Sequence, residues 1–485
     1  MAAREGIQEE LKLFFICHLA FAANLHIDVT DEHGLPVWTR LEVRDAAGKM
    51  YQPKVSIHET MTKTRGGKPF YLGSFIVNGS ADLDVPEAPY TVIAEHGTEY
   101  ERVERAVDAP ASISIKLNPW IRMRSKGWWS GDMHVHHSLE DAPGIAQAED
   151  LNFVVLANRG KQDLMKHWPA EEVLKVSNNY WISLRNAEDE RRGGSWIFNN
   201  LHAPLTLGRE GGWFPQGLEY VRQAKAQGVW FDIDMPFWWE VPVMVALGHP
   251  DSIDILHNQF MQYGIDQSEY WGRPRDRTAF PGWQGFVDYS MELYYRYLNL
   301  GYRIPASAGT GTGVMPNPAG YDRVYAKIAG PFTIDKWYQA IREGRSFVTN
   351  GPMLFVTYKN GVIDVKAEAR EPIDRIELVA NGQIVERTAG AKARFHIDTR
   401  KYSWCAVRCF LKTPDNIRLA HSSPIYLNGK WNAREDAAYF VAWMDELIRQ
   451  MDADLKRFEN KEQREAVLAV YRQAREIFIQ ASHEQ

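Results

Sequence analysis

Cysteine is scarce in this chain, and its scarcity excludes one class of fold. Three cysteines in 485 residues are too few for a disulfide framework. Cys405 and Cys409 fall on one face of a predicted strand but too far apart along it for easy bridging. We therefore predict that they are small buried hydrophobic residues.

The chain also lacks a basic excess and a long apolar segment free of charges. The net charge is −6 and no run of lysine or arginine occurs, so no nucleic-acid partner is predicted. Beyond the N-terminus no stretch reaches transmembrane length without charges, so no transmembrane segment is predicted.

An apolar run at residues 13–23 is the size of the hydrophobic part of an export signal. It ends in Ala20-Phe21-Ala22, which has the spacing of a signal cleavage site, so residues 1–23 are predicted to form a signal peptide. This indicates an exported protein, periplasmic or extracellular. Glu9 and Glu10 precede the run where basic residues are expected, which favours the alternative of a short amphipathic or core helix in a cytoplasmic protein.

The length and the changing periodicity predict several domains. Residues 24–118 alternate in short strands with turns and indicate a β-sandwich, and residues 356–430 indicate a second one around the Asn381-Gly382 hairpin turn. Between them, residues 119–355 alternate strand and helix patterns, which predicts a parallel sheet or barrel. Residues 431–485 carry two amphipathic stripes and predict an αα-hairpin. The predicted fold is multidomain, α/β plus all-β.

Tryptophan is abundant, with 17 residues. One interpretation is that the indoles fill buried cores. The other is that some line a ligand cleft, for which the candidates are Trp128, Trp129, Trp238 and Trp239.

Two histidines at alternate positions of a predicted strand are the clearest candidate for chemistry. His134 and His136 would point to the same side of the strand, where each could offer a nitrogen to one divalent metal. Asp132 stands just before the pair, where a carboxylate could orient a ligating ring. The alternative is a strand with two satisfied core histidines.

The sequence around the pair, Gly131-Asp132-Met133-His134-Val135-His136, resembles the first motif of the PHP (polymerase and histidinol phosphatase) superfamily. The longer frame is similar to its CehA/McbA branch, the carbaryl-hydrolase-like metallohydrolases. Residues 151–156, 248–258, 302–309 and 344–352 resemble further segments of that family. The resemblance implies a central distorted (β/α)7 barrel, bound metal and hydrolase activity.

Three histidine positions of the family differ in this chain. The family's Thr-Asp-His-Asn is replaced by Ala157-Asn158-Arg159-Gly160, its His-Pro by Met235-Pro236, and its Gly-Ser-Asp-x-His by residues 309–313. Either a smaller metal site is rebuilt from other residues, or the domain has become a non-catalytic binding module for a ligand such as a glycan.

Carboxylates and one further histidine are the candidates for rebuilding the site. Glu188 and Asp254 match acidic positions of the family, and His257 could replace a lost histidine. Asp232 and Asp234 share one face of a strand, and two carboxylates that close are costly unless paired or metal-bound. The predicted metal ligands are His134, His136, Glu188, Asp232, Asp234, Asp254 and His257.

The predicted function is that of a metal-dependent hydrolase for an ester, a carbamate or a phosphoester. A divalent transition metal (Zn, Mn or Fe) would activate a water, Asp132 would assist catalysis, and Arg159 would contact an anionic group of the substrate. The predicted partner is a small-molecule or glycan substrate.

Overall fold

The computed structural model describes residues 22–65, 68–158, 168–205, 212–270, 272–414, 416–453 and 455–483. Residues 1–21 of the predicted signal peptide and the candidate Arg159 lie outside the described residues. Among the described residues, no helix combines the length and the apolar character needed to cross a bilayer.

The N-terminal part is built from one mixed sheet and one antiparallel sheet that share one core. One sheet has the order β6-β1-β9, and the other β4-β5-β2-β7-β8 with β3 paired to β2. Alternate residues of the strands point inward, so that Ile27 of the first sheet and Val43 and Val92 of the second lie in the same hydrophobic cluster. The strands are β1 Ala22–Thr30, β2 Trp38–Asp45, β3 Met50–Tyr51, β4 Ile57–Arg65, β5 Lys68–Asn78, β6 Ser80–Pro86, β7 Pro89–Glu95, β8 Val103–Asp108 and β9 Ala111–Lys116.

The rest of the chain is organised around one sheet of fifteen strands. Its strands are β10 Trp128–Val135, β11 Phe153–Asn158, β12 Val173–Lys175, β13 Trp181–Arg191, β14 Gly194–Asn199, β15 Trp230–Ile233, β16 Ser252–Leu256, β19 Ala306–Ala308, β20 Arg323–Lys327, β21 Ser346–Thr349, β24 Ile373–Ala380, β25 Gln383–Ala389, β27 Trp404–Leu411, β28 Leu419–Ser422 and β29 Ile425–Tyr426. The smaller pairings are a hairpin, β17 Phe260–Met261 with β18 Gly264–Ile265, and the sheet of β22 Met353–Lys359, β23 Val362–Glu368 and β26 Lys392–His396.

The predicted (β/α)7 barrel is wrong. The protein is mostly β, with 38% of residues in strands and 23% in helices. The strict alternation of strand and helix fails because β13, β14 and β15 are joined as antiparallel neighbours, with a tight turn and no helix between β13 and β14. The second predicted sandwich is not separate either, since β28 pairs with β21 and extends the same sheet.

The helices cover this sheet and pack into its core. The α-helices of the described residues are α1 Ala142–Ala148, α2 Gly217–Lys225, α3 Val241–Val243, α4 Gly282–Asn299, α5 Ile334–Arg342, α6 Arg434–Ala453 and α7 Lys461–His483. The last two form a hairpin whose buried Trp443 and Tyr471 belong to the same hydrophobic cluster as the strands. Tyr471 also donates a hydrogen bond to the buried carboxylate of Glu240, which ties the hairpin to the body.

Six strands of the central sheet run in one direction. They are β10, β11, β13, β15, β16 and β19, and their neighbours β12, β14 and β20 run in the opposite direction. The chain after β19 folds back onto the end of β10: Gly311 N–H donates to the His134 carbonyl oxygen, and His136 N–H donates to the Thr312 carbonyl oxygen, each at 2.8 Å. These hydrogen bonds bring the carboxyl ends of β10 and β19 together. Parallel sheets usually place their functional sites at the carboxyl ends of their strands.

Candidate metal centre

The histidine pair stands at the end of β10. Strand alternation puts His134 and His136 on the same side, while Val135 between them is buried in another cluster. The two rings lie with centroids 4.6 Å apart, and their Nε2 atoms are 2.7 Å from each other.

The remaining nitrogen of each ring is held by an acceptor. His136 Nδ1 lies 2.7 Å from the Ala157 carbonyl oxygen, and His134 Nδ1 lies 3.1 Å from Asp234 Oδ1. With Nδ1 donating in both rings, each Nε2 presents a lone pair. The two Nε2 atoms are 2.7 Å apart, and lone pairs that face each other at this distance repel unless a proton or a metal cation lies between them.

Glu188 completes this group from the neighbouring part of the sheet. Its two carboxylate oxygens lie 3.5 Å from His134 Nε2 and 3.2 Å from His136 Nε2. Ser195, across the β13–β14 hairpin, donates a hydrogen bond of 2.7 Å to Glu188 Oε1. Burial raises the pKa of Glu188, but the two histidines outweigh it and hold the pKa well below its usual range. Conversely, burial lowers the pKa of His134, but Glu188 and Asp234 hold it well above its usual value.

Asp234 and Asp254 form a second group on the other side of His134. Gly309 makes this approach feasible, because a Cβ there would lie 2.5 Å from the His134 Cβ and 2.8 Å from Asp254 Oδ2. Neither oxygen of Asp254 accepts a hydrogen bond from the described residues, although the side chain is fully buried. Such a carboxylate is costly to bury without a proton or a cation.

The candidate ligand atoms of the described residues thus form two overlapping groups. His134, His136 and Glu188 make one group, and His134, Asp234 and Asp254 make the other, with the atoms of each group within 4.8 Å of one another. No protein-family model, curated protein or solved structure matches this chain. The case for a metal centre therefore rests on the geometry of these five side chains.

Asp232 lies beside this cluster, and one of its carboxylate oxygens already accepts hydrogen bonds from two hydroxyl groups. Ser252 and Ser307 donate to its Oδ1 at 2.6 Å and 2.7 Å. Burial raises the pKa of Asp232 to about 6, although the two hydroxyls oppose that rise. Burial, together with the charges of Asp232 and Asp234, raises the pKa of Asp254 well above its usual range.

Asp132 holds the backbone around the site and does not touch the histidine rings. Its Oδ1 accepts from the N–H groups of His134 and Thr310 at 3.0 Å and 3.1 Å. Its Oδ2 accepts from the Thr310 hydroxyl at 2.5 Å and from the Gly320 N–H at 2.7 Å. Asp132 thereby joins the end of β10 to the loop after β19, and the ring of His134 is oriented by Asp234 instead.

His257 lies away from the two groups. Its ring packs edge-on against Phe237, Phe260 and Phe286, and its Nε2 is 3.4 Å from the Ser290 hydroxyl. Burial lowers its pKa to about 3, so it is a neutral core residue.

The four tryptophans proposed for a ligand cleft pack against other aromatic rings. Trp128 contacts Phe347, Trp129 contacts Trp181, and Trp239 contacts Trp443. Trp238 is only 4% exposed. These indoles belong to the hydrophobic clusters or pack against them.

Sequence reasoning missed the groups that support the cluster. Gly309 and Thr310 lie in or beside a segment that resembles the family, so their position carried a signal. Ser252 and Ser307 also lie in such segments, whereas Ser195 carried no signal, because a serine near a carboxylate in space has no mark in the sequence.

Proposed function

We propose that this chain is a metal-dependent hydrolase acting on an ester, a carbamate or a phosphoester. The observation that carries the proposal is the convergence of two imidazole nitrogens and one carboxylate, from His134, His136 and Glu188, in a buried site. The resemblance of residues 131–136 to the first PHP motif supports membership of that superfamily as part of the same proposal.

The donor set fits a divalent transition metal. Two imidazoles and one carboxylate are a common set in catalytic zinc sites, which keep a further position open. Imidazole and carboxylate also suit iron and manganese, so the ion is one of these three. The buried carboxylates of Glu188, Asp234 and Asp254 supply negative charge that a dication offsets.

The chain's own residues have distinct tasks in this proposal. A divalent ion held here would lower the pKa of a water and polarise the C=O or P=O bond of the substrate. Asp234 and the Ala157 carbonyl fix the two imidazoles so that both Nε2 atoms face the centre. Asp254, whose oxygens accept no hydrogen bond from the described residues, is placed either to add an oxygen ligand or to take a proton.

Metal analysis of the purified chain tests the proposal. We expect about one equivalent of zinc, manganese or iron in the parent. The metal content should fall by about tenfold or more in His134→Ala, His136→Ala and Glu188→Gln. His202→Ala is the matched control, because this histidine is 58% exposed and lies outside the cluster. Metal content that is equal in all four variants would end the metal-site assignment.

Activity is tested separately on the metal-loaded protein. Chromogenic carboxylic esters, aryl carbamates and phosphodiesters cover the three substrate classes, and we expect turnover of at least one that disappears in His136→Ala and not in His202→Ala. A protein that binds stoichiometric metal and hydrolyses none of the three classes would be a metal-dependent binding protein instead. A well-folded sample without metal would favour the catalytically degenerate binding module.

A further inference from the structure

A cavity lies where three parts of the chain meet. It has a volume of about 490 Å³. The N-terminal sandwich contributes Glu95 and Arg102, the β17–β18 turn contributes Gln262, and the segments around β23 and β28 contribute Arg370 and Arg418. None of its lining residues belongs to the metal groups. Cavities of this size at the junction of structural units are typical small-molecule sites.

Arg370 is the residue that points to a ligand. It is half-buried, and its Nη1 donates one hydrogen bond of 2.9 Å, to the Tyr100 carbonyl oxygen. No carboxylate of the described residues lies within ion-pairing distance of it. A guanidinium has five N–H donors and stays charged, and among the described residues only the Tyr100 carbonyl oxygen accepts a hydrogen bond from this one, which lines the cavity. Burial lowers the pKa of Arg370 and the charge of Arg418 adds to this effect, while the charges of Glu95, Glu371 and Glu101 oppose it.

Two of the three acidic residues that line the cavity, Glu95 and Glu371, are already engaged by other arginines, and the third is Glu101. Glu95 accepts from Arg40 Nη2 at 2.7 Å and lies 3.9 Å from Arg102 Nε. Arg418 donates to Glu371. Because these two carboxylates have partners of their own, the positive charge of Arg370 is not cancelled by a contact.

We propose that this cavity binds a small oxyanion, with a carboxylate or phosphate group on the guanidinium of Arg370 and with Arg102 and Arg418 flanking it. Arginine suits this task because its planar fork matches two oxygens of a carboxylate or a phosphate. The proposal goes beyond the hydrolase function and does not depend on it.

Calorimetric titration of the full-length chain in a chloride buffer tests the proposal with four probes. Inorganic phosphate tests the phosphate source, succinate and citrate test the carboxylate source, and succinamide is the uncharged analogue of succinate. We expect saturable binding of at least one anion with a Kd of roughly 1 mM or below, and none of succinamide.

Four variants locate the binding. Arg370→Gln and Arg102→Gln are each expected to weaken the anion by about tenfold or more, because each removes a charge-assisted contact. Arg400→Gln is the control, since that side chain is 89% exposed and lies outside the cavity. Glu101→Gln removes a negative charge from the lining and is expected to tighten the anion by roughly two- to threefold.

Two results would overturn the assignment. One is the absence of binding by all three anions in a protein that melts as a folded chain. The other is binding that Arg370→Gln and Arg102→Gln leave unchanged while both variants keep the melting temperature of the parent, because the anion would then sit elsewhere.

Discussion

The Nδ1 atom of His134 lies 3.1 Å from Oδ1 of Asp234, and this contact decides which way the imidazole faces. Both side chains are nearly closed off from solvent, at 1% and 2% exposure, so the ring has no water to replace that acceptor. A carboxylate behind a histidine fixes its tautomer and raises the basicity of the opposite nitrogen. That nitrogen is the one that faces His136 and Glu188.

Asp234→Asn tests this orientation. The amide keeps an oxygen that can accept from Nδ1 but loses the charge, so we expect metal affinity to fall by roughly 10- to 100-fold with little change in melting temperature. Competition with a chelator of known affinity measures the change. Asp398→Asn is the control, because that carboxylate is exposed on the surface. An affinity equal to that of the parent would show that Asp234 does not tune the pair.

Asp132→Asn tests the link between β10 and the loop after β19. The native carboxylate accepts four hydrogen bonds from N–H and hydroxyl donors, whereas an asparagine would turn an NH₂ group toward some of the same donors. We expect a loss of roughly 2–4 kcal/mol in the free energy of unfolding, because buried donors lose a charged acceptor. Urea denaturation measures it, against Asp84→Asn on the surface. A variant as stable as the parent would contradict this structural role.

The sequence placed the histidine pair correctly on one side of a strand, because alternation in a strand is a local property. The sequence did not show whether β13 and β14 pair with parallel or antiparallel neighbours. The hairpin from Trp181 to Asn199 is buried on both faces, and such a run looks the same whether its neighbours are parallel or antiparallel. The (β/α)7 barrel was implied by the family resemblance. The alternation of strands with helices that do form, α2 and α5 among them, predicted a parallel sheet or barrel, but whether strands between helices are parallel depends on contacts distant in the chain.

For the candidate site, too, the sequence predicted some features and not others. Asp132 stood out because it precedes the pair, yet its four hydrogen bonds reach residues near 310 and 320, which spacing could not foretell. His257 was predicted as a metal ligand because a histidine could replace one that the family has and this chain lacks. Its aromatic surroundings come from Phe237 and Phe286, on either side of it in the sequence, and only the folded arrangement shows that they enclose it.

Glu240→Gln tests a pH effect outside the metal site. Burial raises the pKa of Glu240 to about 7 from 4.5, so between these values the folded chain holds a proton that the unfolded chain has released. The free energy of unfolding therefore falls as the pH rises through this range, by about 3 kcal/mol for this group. Glutamine stays neutral and can still accept from Tyr471, so the variant should lose this part of the pH dependence.

Denaturation at about pH 5 and about pH 8 measures the Glu240 effect. The parent should lose more stability between the two conditions than Glu240→Gln does. Glu219→Gln, an exposed glutamate of α2, should behave as the parent. Equal losses in the parent and in Glu240→Gln would mean that Glu240 is ionised in the folded chain at both values.

Gly309→Ala tests whether the closeness of His134 and Asp254 matters for metal binding. The added methyl group would lie 2.5 Å from the His134 Cβ and 2.8 Å from Asp254 Oδ2, so one of the two must move. We expect a loss of roughly 1–3 kcal/mol in stability from overpacking, and a fall of about tenfold or more in metal affinity from the displaced ligands. Gly248→Ala is the matched control, because its methyl group would meet only side-chain carbon atoms, the nearest at 3.1 Å on Val221. The control should lose stability and keep its metal affinity. If both variants bind metal as the parent does, Asp234 and Asp254 take no part in holding the ion, and the site reduces to His134, His136 and Glu188.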